Sequence, residues 1–284
     1  MMLFKDCYIE IIMKKYEFGV FLCGGGNRVL FSDGVLKVLL KEGIAPDYWV
    51  SKSASSGIMF GHLLNCSDWL LDHFWKRCQK NQKNFYWFKK EHFPHDEMLE
   101  GSMREMFRVH GLPKNKRYSI IASDAGSRFS RLKAVASFFL MILSNLGVST
   151  KNLRKFLGIN EYLFKSSENY SKEELISIIM GSSTIYPFIG LHFLRGRLLL
   201  ESEMLKKDYP RYLEKCKKGI IIYNRRGGIS HIEGNILHFY SSVEIPNTTI
   251  DYSFKSKIRE IRKIGEAEAK KQLSLVRKFL NKPN

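Results

Sequence analysis

The stretch of sequence that decides the fold runs from Gly19 to Gly61: GVFLCGGGNRVLFSDGVLKVLLKEGIAPDYWVSKSASSGIMFG. The apolar run Val20–Cys23 predicts a buried strand, and the apolar residues after the three glycines recur mainly at helical spacing. Pro46-Asp47 then turns the chain, and Tyr48-Trp49-Val50 predicts a second short strand. Strands and helices that alternate in this way indicate an α/β fold with a mostly parallel sheet.

The small residues Ser51–Gly57 follow the second strand, where the chain has to turn sharply into a helix. A serine at such a turn is pushed out of the end of the sheet with its hydroxyl exposed, as in a nucleophile elbow. The three glycines end the neighbouring strand, and their backbone N–H groups are free to converge on an anion. A serine beside an anion-binding loop suggests acyl transfer.

The same residues resemble the core of the patatin-like phospholipase family. That family has the pattern G-G-G-x-R-G, a helix, and then P-D-x-x-x-G-x-S-x-G. The chain supplies Gly24-Gly25-Gly26-Asn27-Arg28, and Pro46-Asp47 stands at the family's spacing before Ser53. The chain differs from the pattern at three positions where the family has glycine: Val29, Ser51 and Ser55.

The resemblance implies a patatin-like three-layer αβα fold with a mostly parallel central sheet and a serine nucleophile elbow. It covers residues 1–284 as a single domain, with the core motifs in 19–203 and a C-terminal strand-helix region in 219–284. The predicted strands are Gly19–Cys23, Tyr48–Val50, Tyr118–Ser123, Arg197–Leu200, Gly219–Tyr223 and Ile236–Ser241. The predicted helices include about Ser55–Leu64, Met98–His110, Leu132–Leu146, Leu175–Met180 and one basic helix from about Lys255 to Leu280. The apolar helix Leu132–Leu146 is expected either to be buried or to form a lid over an acyl-chain pocket.

The resemblance also implies a lipid acyl hydrolase of the phospholipase A or esterase type, which cleaves the carboxylic esters of phospholipids without a metal or a cofactor. The resemblance assigns the role of nucleophile to Ser53 and the role of acid/base to Glu201. The oxyanion hole falls on the glycine loop, and Arg28 orients that loop or adds positive potential. The residues of this predicted hole are Gly24, Gly25, Gly26 and Arg28.

Glu201 stands where the family has aspartate. Its side chain is one methylene longer, and a carboxylate displaced by about an ångström can cost ~10²-fold in rate. Val29 is β-branched and would be strained if it needed a positive φ. Two interpretations therefore stay open: a divergent hydrolase, or a pseudoenzyme that keeps the patatin fold and binds lipid or protein. A dinucleotide-binding turn is disfavoured, because its third glycine would have to stand at Val29.

The chain has 46 Lys and Arg against 28 Asp and Glu, a net charge of +18. Such an excess favours anionic partners, and we expect peripheral binding to an anionic membrane surface. The segment Trp69–Lys90 alternates aromatic and basic residues. It fits a nucleic-acid surface or a membrane-surface helix, but a helix with an aromatic core face is the favoured interpretation. No nucleic-acid partner is therefore expected.

The five cysteines form no CxxC pair, which is typical of a reducing compartment and gives no zinc motif. Asp6 and Glu10 interrupt the first apolar residues, so a signal peptide is not predicted. The longest apolar run, Ala134–Leu146, is too short to span a bilayer. We expect a cytoplasmic protein that contacts membranes only peripherally.

Overall fold

A computed structural model describes residues 16–85, 94–146, 148–186, 188–202, 206–226, 228–246 and 251–282. The strands within them are β1 (Tyr16–Leu22), β2 (Tyr48–Lys52), β3 (Tyr118–Asp124), β4 (Asn160–Lys165), β5 (His192–Leu194), β6 (Arg197–Leu200), β7 (Cys216–Arg226), β8 (His231–Glu233) and β9 (Ile236–Ser241). The helices are α1 (Leu30–Lys41), α2 (Ser55–Leu63), α3 (Ser67–Lys80), α4 (His95–His110), α5 (Ser130–Asn145), α6 (Lys151–Phe156), α7 (Lys172–Ser182), α8 (Ile258–Lys271) and α9 (Leu273–Asn281). Short 3₁₀ segments span Gly26–Val29, Ser166–Glu168 and Lys206–Leu213.

These strands form one sheet in the order β5-β6-β3-β2-β1-β7-β9-β8, and β4 also pairs with β3. The run β3-β2-β1-β7-β9 is parallel throughout, while β4, β5, β6 and β8 pair antiparallel at its two sides. The predicted α/β class with a mostly parallel sheet is confirmed, and all six predicted strands belong to this sheet. The C-terminal strands β7 and β9 continue the sheet formed by the N-terminal half.

The register of the central strands brings two loops to one edge. Leu22 pairs with Ser51 of β2 and with Ile222 of β7, so these three parallel strands end side by side. The three glycines after β1 and the turn after β2 therefore leave the same carboxyl edge of the sheet. Ligands of open α/β sheets bind at this edge.

The two faces of the sheet are covered differently. Alternate residues of β1 point to opposite faces. Val20 and Leu22 join the main core with apolar residues of α1, α2, α4, α7 and α8. Phe21 and Cys23 join a smaller core that includes Leu213 of a 3₁₀ segment. One face therefore holds most of the helices, and the other holds a thinner layer.

The aromatic residues of α3 support the interpretation of this segment as a core helix, because Trp69, Phe74 and Trp75 pack against the main core. Residues 86–93, which continue the aromatic-basic segment, lie outside the described residues.

The C-terminal helix differs from its prediction. The single helix expected from Lys255 to Leu280 is two helices, α8 and α9, which meet at Gln272. Helical periodicity continues through the break, so the sequence pattern alone does not reveal it. Among the described residues, no helix combines the length and the apolar character that crossing a bilayer requires.

Candidate active site

Ser53 lies in the two-residue turn between β2 and α2. Its φ of 60° falls in the left-handed region, which is costly for a residue with a side chain. A non-glycine residue held there stores about 1–3 kcal/mol of strain, and such strain is concentrated at functional sites. Ser53 is only 6% exposed, so its side chain is buried, and the exposed hydroxyl expected from the turn pattern is not found.

Buried hydroxyl groups hold this turn in place. The Ser55 hydroxyl lies 2.8 Å from the Leu22 carbonyl and 2.6 Å from the Lys52 carbonyl, which ties the start of α2 to the ends of β1 and β2. The Ser51 hydroxyl donates to that of Ser56 at 3.0 Å. Ser51 and Ser55, which stand where the family pattern has glycine, are fully buried and hydrogen-bonded.

The glycine loop lies directly against Ser53. A Cβ atom on Gly24 would sit 2.9 Å from the Ser53 Cβ and 3.5 Å from its Oγ, so only glycine leaves room there. Gly25 has a φ of 151°, a conformation that favours glycine. Within the described residues, the backbone N–H groups of Gly24 and Gly25 donate to no protein acceptor. These groups are available to a bound anion.

Asn224, at the carboxyl end of β7, supports the glycine loop from behind. Its Oδ1 accepts from the backbone N–H of Ser32 at 3.2 Å and from the Ser32 hydroxyl at 2.6 Å, and its amide donates to the Cys23 carbonyl. Val29 has a helical φ of −62° and is buried, so the strain expected from a β-branched residue at this position is absent.

Glu201 directly follows β6, and its carboxylate lies beside the Ser53 side chain, whose hydroxyl favours the ionised carboxylate. Its backbone N–H donates to the Thr184 carbonyl at 3.1 Å. The Lys52 Nζ lies 3.9 Å from the Glu201 Oε1. Burial raises the pKa of Glu201, while Lys52, the Ser53 hydrogen bond and Arg154 act in the opposite direction. Glu201 therefore has both the position and the raised basicity of a group that accepts the serine proton.

The residue after Glu201 fixes the base from the other side. Ser202 is 1% exposed, and its hydroxyl donates to Glu161 Oε2 at 2.7 Å. Glu161 also contacts Arg211 and Tyr212. Through these contacts the path of the chain at position 202 depends on β4 and on the 3₁₀ segment Lys206–Leu213.

Positive charge surrounds Ser53 and Glu201. Four cationic side chains border the space above Ser53 or interact electrostatically with its neighbours: Arg28, Lys52, Arg154 and Arg225. Burial, and then the charge of Arg225, lower the pKa of Arg28. Arg154 is buried and donates to the Ser123 hydroxyl at 2.8 Å. The site is suited to an anionic substrate or product.

A cavity of about 440 Å³ opens above Ser53 and Glu201. Its polar wall includes Gly24, Arg28, Lys52, Glu201 and Asn224. Its opposite wall is formed by one face of α5, namely Ala134, Ser137, Phe138, Met141 and Ser144. The cavity therefore joins a polar, cationic wall to a largely apolar one.

The structure brings the predicted site residues together at the carboxyl edge of the sheet: Ser53, Glu201, Gly24, Gly25, Gly26 and Arg28. Sequence reasoning missed Lys52, Arg154, Asn224 and Arg225. Lys52 adjoins Ser53, and Asn224 and Arg225 follow the apolar part of β7, so the parallel topology could have indicated all three. Arg154 lies in a short basic helix that carries no motif.

A separate group of metal-ligand types lies on the β8–β9 hairpin. His231, Glu233 and His238 offer ligand atoms within 4.8 Å of one another, a group that could hold a metal ion. The hairpin forms the side of the sheet beyond β7, and these residues do not line the cavity above Ser53.

Comparison with known proteins adds no relative: no family model and no curated protein matches this chain.

Proposed function

We propose that this chain is a lipid acyl hydrolase that cleaves carboxylic esters of phospholipids, built on a patatin-like three-layer fold with Ser53 at its nucleophile elbow. The observation that carries the proposal is the position of Ser53, strained at a φ of 60°, between the Glu201 carboxylate and the glycine loop. Nucleophile, base and anion-binding N–H groups then converge on one point, which is the requirement of acyl transfer.

In the first half of the reaction, the Glu201 carboxylate takes the Ser53 hydroxyl proton while Oγ attacks the ester carbonyl carbon. The N–H groups of Gly24 and Gly25 donate to the oxyanion that forms. When the carbon–oxygen bond to the alcohol breaks, protonated Glu201 returns the proton to the leaving oxygen. The products of this half are the free alcohol, here a lysophospholipid, and an acyl group on Ser53.

In the second half, Glu201 takes a proton from water as the water attacks the acyl carbon. The same N–H groups stabilise the second oxyanion, and the bond from the acyl carbon to Ser53 Oγ breaks. The Ser53 oxygen regains its proton from Glu201, and a fatty acid is released. The reaction consumes one water for each ester and requires no other group.

The walls of the cavity support a phospholipid as the substrate class. A phosphate group fits the cationic wall, where Arg28, Lys52 and Arg225 lie. An acyl chain fits the face of α5 that carries Phe138 and Met141. A neutral short-chain ester would use only the second of these features.

One feature favours a second candidate, the patatin-fold pseudoenzyme that binds lipid or protein. Ser53 is only 6% exposed and reaches the cavity through its neighbours Gly24, Lys52 and Glu201 rather than lining it. A protein that bound a lipid without cleaving it would have the same cavity with an unreactive serine.

A fluorophosphonate probe separates the two candidates, because it labels only a serine that is activated as a nucleophile. The wild-type protein should be labelled and should hydrolyse p-nitrophenyl butyrate. Ser53→Ala should lose labelling and lose activity by on the order of 10⁴-fold or more. Ser119→Ala is the matched control, since Ser119 is fully buried at the opposite end of the sheet.

Circular dichroism should show that both variants keep the wild-type fold. A wild-type protein that neither reacts with the probe nor hydrolyses the ester would overturn the hydrolase and favour the pseudoenzyme. Equal labelling of wild type and Ser53→Ala would place the nucleophile elsewhere.

A further inference from the structure

Helix α5 has apolar residues on both of its faces. The inner face lines the cavity with residues that include Phe138 and Met141. The outer face exposes Leu132, Val135, Phe139, Ile142 and Leu143. A helix that is apolar all round is normally buried on all sides. Within the described part of the chain α5 is covered on one side only, so its outer face is suited to a partner.

Exposed apolar residues are concentrated in the stretch of chain that holds α5 and α6. Of the sixteen large apolar side chains that are exposed in the described residues, ten lie between positions 129 and 156: Phe129, Leu132, Val135, Phe139, Ile142, Leu143, Leu146, Val148, Leu153 and Phe156. Phe156, on α6, is 87% exposed. We call these ten residues the α5–α6 face. A cluster of this kind marks an interaction surface.

The charge of the same segment identifies the partner. Residues 125–160 contain six Lys or Arg and no Asp or Glu, in a chain that has 28 acidic residues. Four of the six cations are exposed: Arg128, Arg131, Lys151 and Lys155. Apolar side chains flanked by cations alone complement a surface that is apolar inside and anionic outside, which is an anionic bilayer.

We propose that the α5–α6 face is the surface by which this protein docks on an anionic phospholipid bilayer. Helix α5 has 16 residues and is about 24 Å long, so it lies along the membrane interface. The orientation of the site rests on the proposed function: docking places the cavity mouth at the interface, and an acyl ester passes from the lipid along α5 to Ser53.

The test measures binding of Ser53→Ala, so that hydrolysis does not alter the vesicles. Co-sedimentation is compared for vesicles of phosphatidylcholine alone and of phosphatidylcholine mixed with phosphatidylserine. We expect binding that rises with phosphatidylserine and falls with salt. Adding Phe139→Ser and Ile142→Ser should weaken binding about tenfold or more, because both side chains leave the lipid. Val109→Ser, an exposed apolar residue at the C-terminal end of α4, is the matched control and should bind unchanged.

Two matched double variants test the contribution of charge to vesicle binding. Lys151→Glu with Lys155→Glu should weaken binding to the mixed vesicles by roughly fivefold or more for each reversed cation. Lys114→Glu with Lys116→Glu changes the net charge equally in the exposed loop before β3 and should have little effect. Equal loss in both pairs would show that net charge, rather than this face, binds the membrane.

Three results would overturn the proposal: equal binding to both vesicle types, retained binding after the α5–α6 substitutions, or a dimer in solution that these substitutions dissociate. The last result would assign the face to a second copy of the chain. The outcome is independent of catalysis. Hydrolysis of soluble p-nitrophenyl butyrate without vesicle binding would contradict the docking proposal and leave the hydrolase proposal standing. Vesicle binding by a protein that hydrolyses no ester would contradict the hydrolase proposal and leave the docking proposal standing.

Discussion

The turn at Ser53 and the loop at Glu201 hold the two residues of the proposed dyad, and they are fixed in different ways. The turn is held locally: Ser51 contacts Ser56, and Ser55 contacts Lys52 and the end of the adjacent strand. The loop is held by distant residues, since the backbone N–H of Glu201 donates to the Thr184 carbonyl and the Ser202 hydroxyl donates to the Glu161 carboxylate. The position of Ser53, the proposed nucleophile, is therefore determined by its own neighbours in sequence, and that of Glu201, the proposed base, by the assembled tertiary structure.

This difference explains why departures from the family pattern have unequal consequences. In the turn, Ser51 and Ser55 fill the places of glycines and add buried hydrogen bonds. In the loop, the longer side chain of Glu201 brings its carboxylate close enough to Ser53 for the hydroxyl to lower its pKa. The turn thus tolerates side chains that hydrogen-bond locally, whereas the loop depends on the length and charge of one carboxylate.

The largest effect is expected when the charge of the base is removed. Glu201→Gln keeps the length of the side chain, but an amide cannot accept the serine proton. We expect kcat/KM for p-nitrophenyl butyrate to fall by about 10²–10⁴-fold while the fold is retained. Glu244→Gln, on an exposed residue outside the cavity, is the control. A Gln variant as active as wild type would show that Glu201 is not the base.

Shortening the Glu201 side chain should have the next largest effect on kcat/KM. Glu201→Asp withdraws the carboxylate by one methylene from the neighbouring Ser53 hydroxyl. A displacement of about an ångström costs up to ~10²-fold, so the Asp variant should lie between wild type and the Gln variant. An Asp variant equal to or faster than wild type would show that the loop still follows the path suited to the family's aspartate.

The same comparison explains what the sequence could predict. The turn, the glycine loop and the central strands depend on local patterns, so small residues and short apolar runs located them. Glu201 was located through the family resemblance, because no local pattern marks a base that distant contacts position. Arg154 and the break at Gln272 left no signal, since each depends on packing between elements. Val29 would be strained only at a positive φ, and it avoids this because a turn of 3₁₀ helix places it in a helical conformation.

The pH dependence of kcat/KM tests the ionisation of Glu201. Glu201 accepts a proton only when ionised, and burial raises its pKa, so the acid limb of kcat/KM should lie above the ordinary range of a glutamate. The Lys52 charge favours the ionised form. Lys52→Met should therefore raise the pKa further and shift the acid limb to higher pH, with little change on its alkaline side. Lys116→Met, exposed in the loop before β3, should leave the profile unchanged.

A smaller effect on kcat/KM is expected when the hydrogen bond that supports the loop after Glu201 is removed. Ser202→Ala removes the hydrogen bond to Glu161 and frees the chain beside Glu201. We expect kcat/KM to fall by roughly tenfold, since positioning of the base is loosened but its chemistry remains. The free energy of unfolding, measured with urea, should fall by only about 1 kcal/mol. An unchanged kcat/KM would show that the contact with Glu161 does not position the base.

The smallest effect on activity, and the larger effect on stability, is expected in the turn. Ser55→Ala removes a fully buried hydroxyl and leaves the Leu22 and Lys52 carbonyls with one partner fewer, which should lower the free energy of unfolding by about 1–3 kcal/mol. The Ser51–Ser56 hydrogen bond still holds the turn, so kcat/KM should stay within roughly twofold of wild type. Local contacts hold the turn and distant contacts position Glu201 if Ser55→Ala loses more stability and Ser202→Ala loses more activity. The reverse order would show that this difference between turn and loop is wrong.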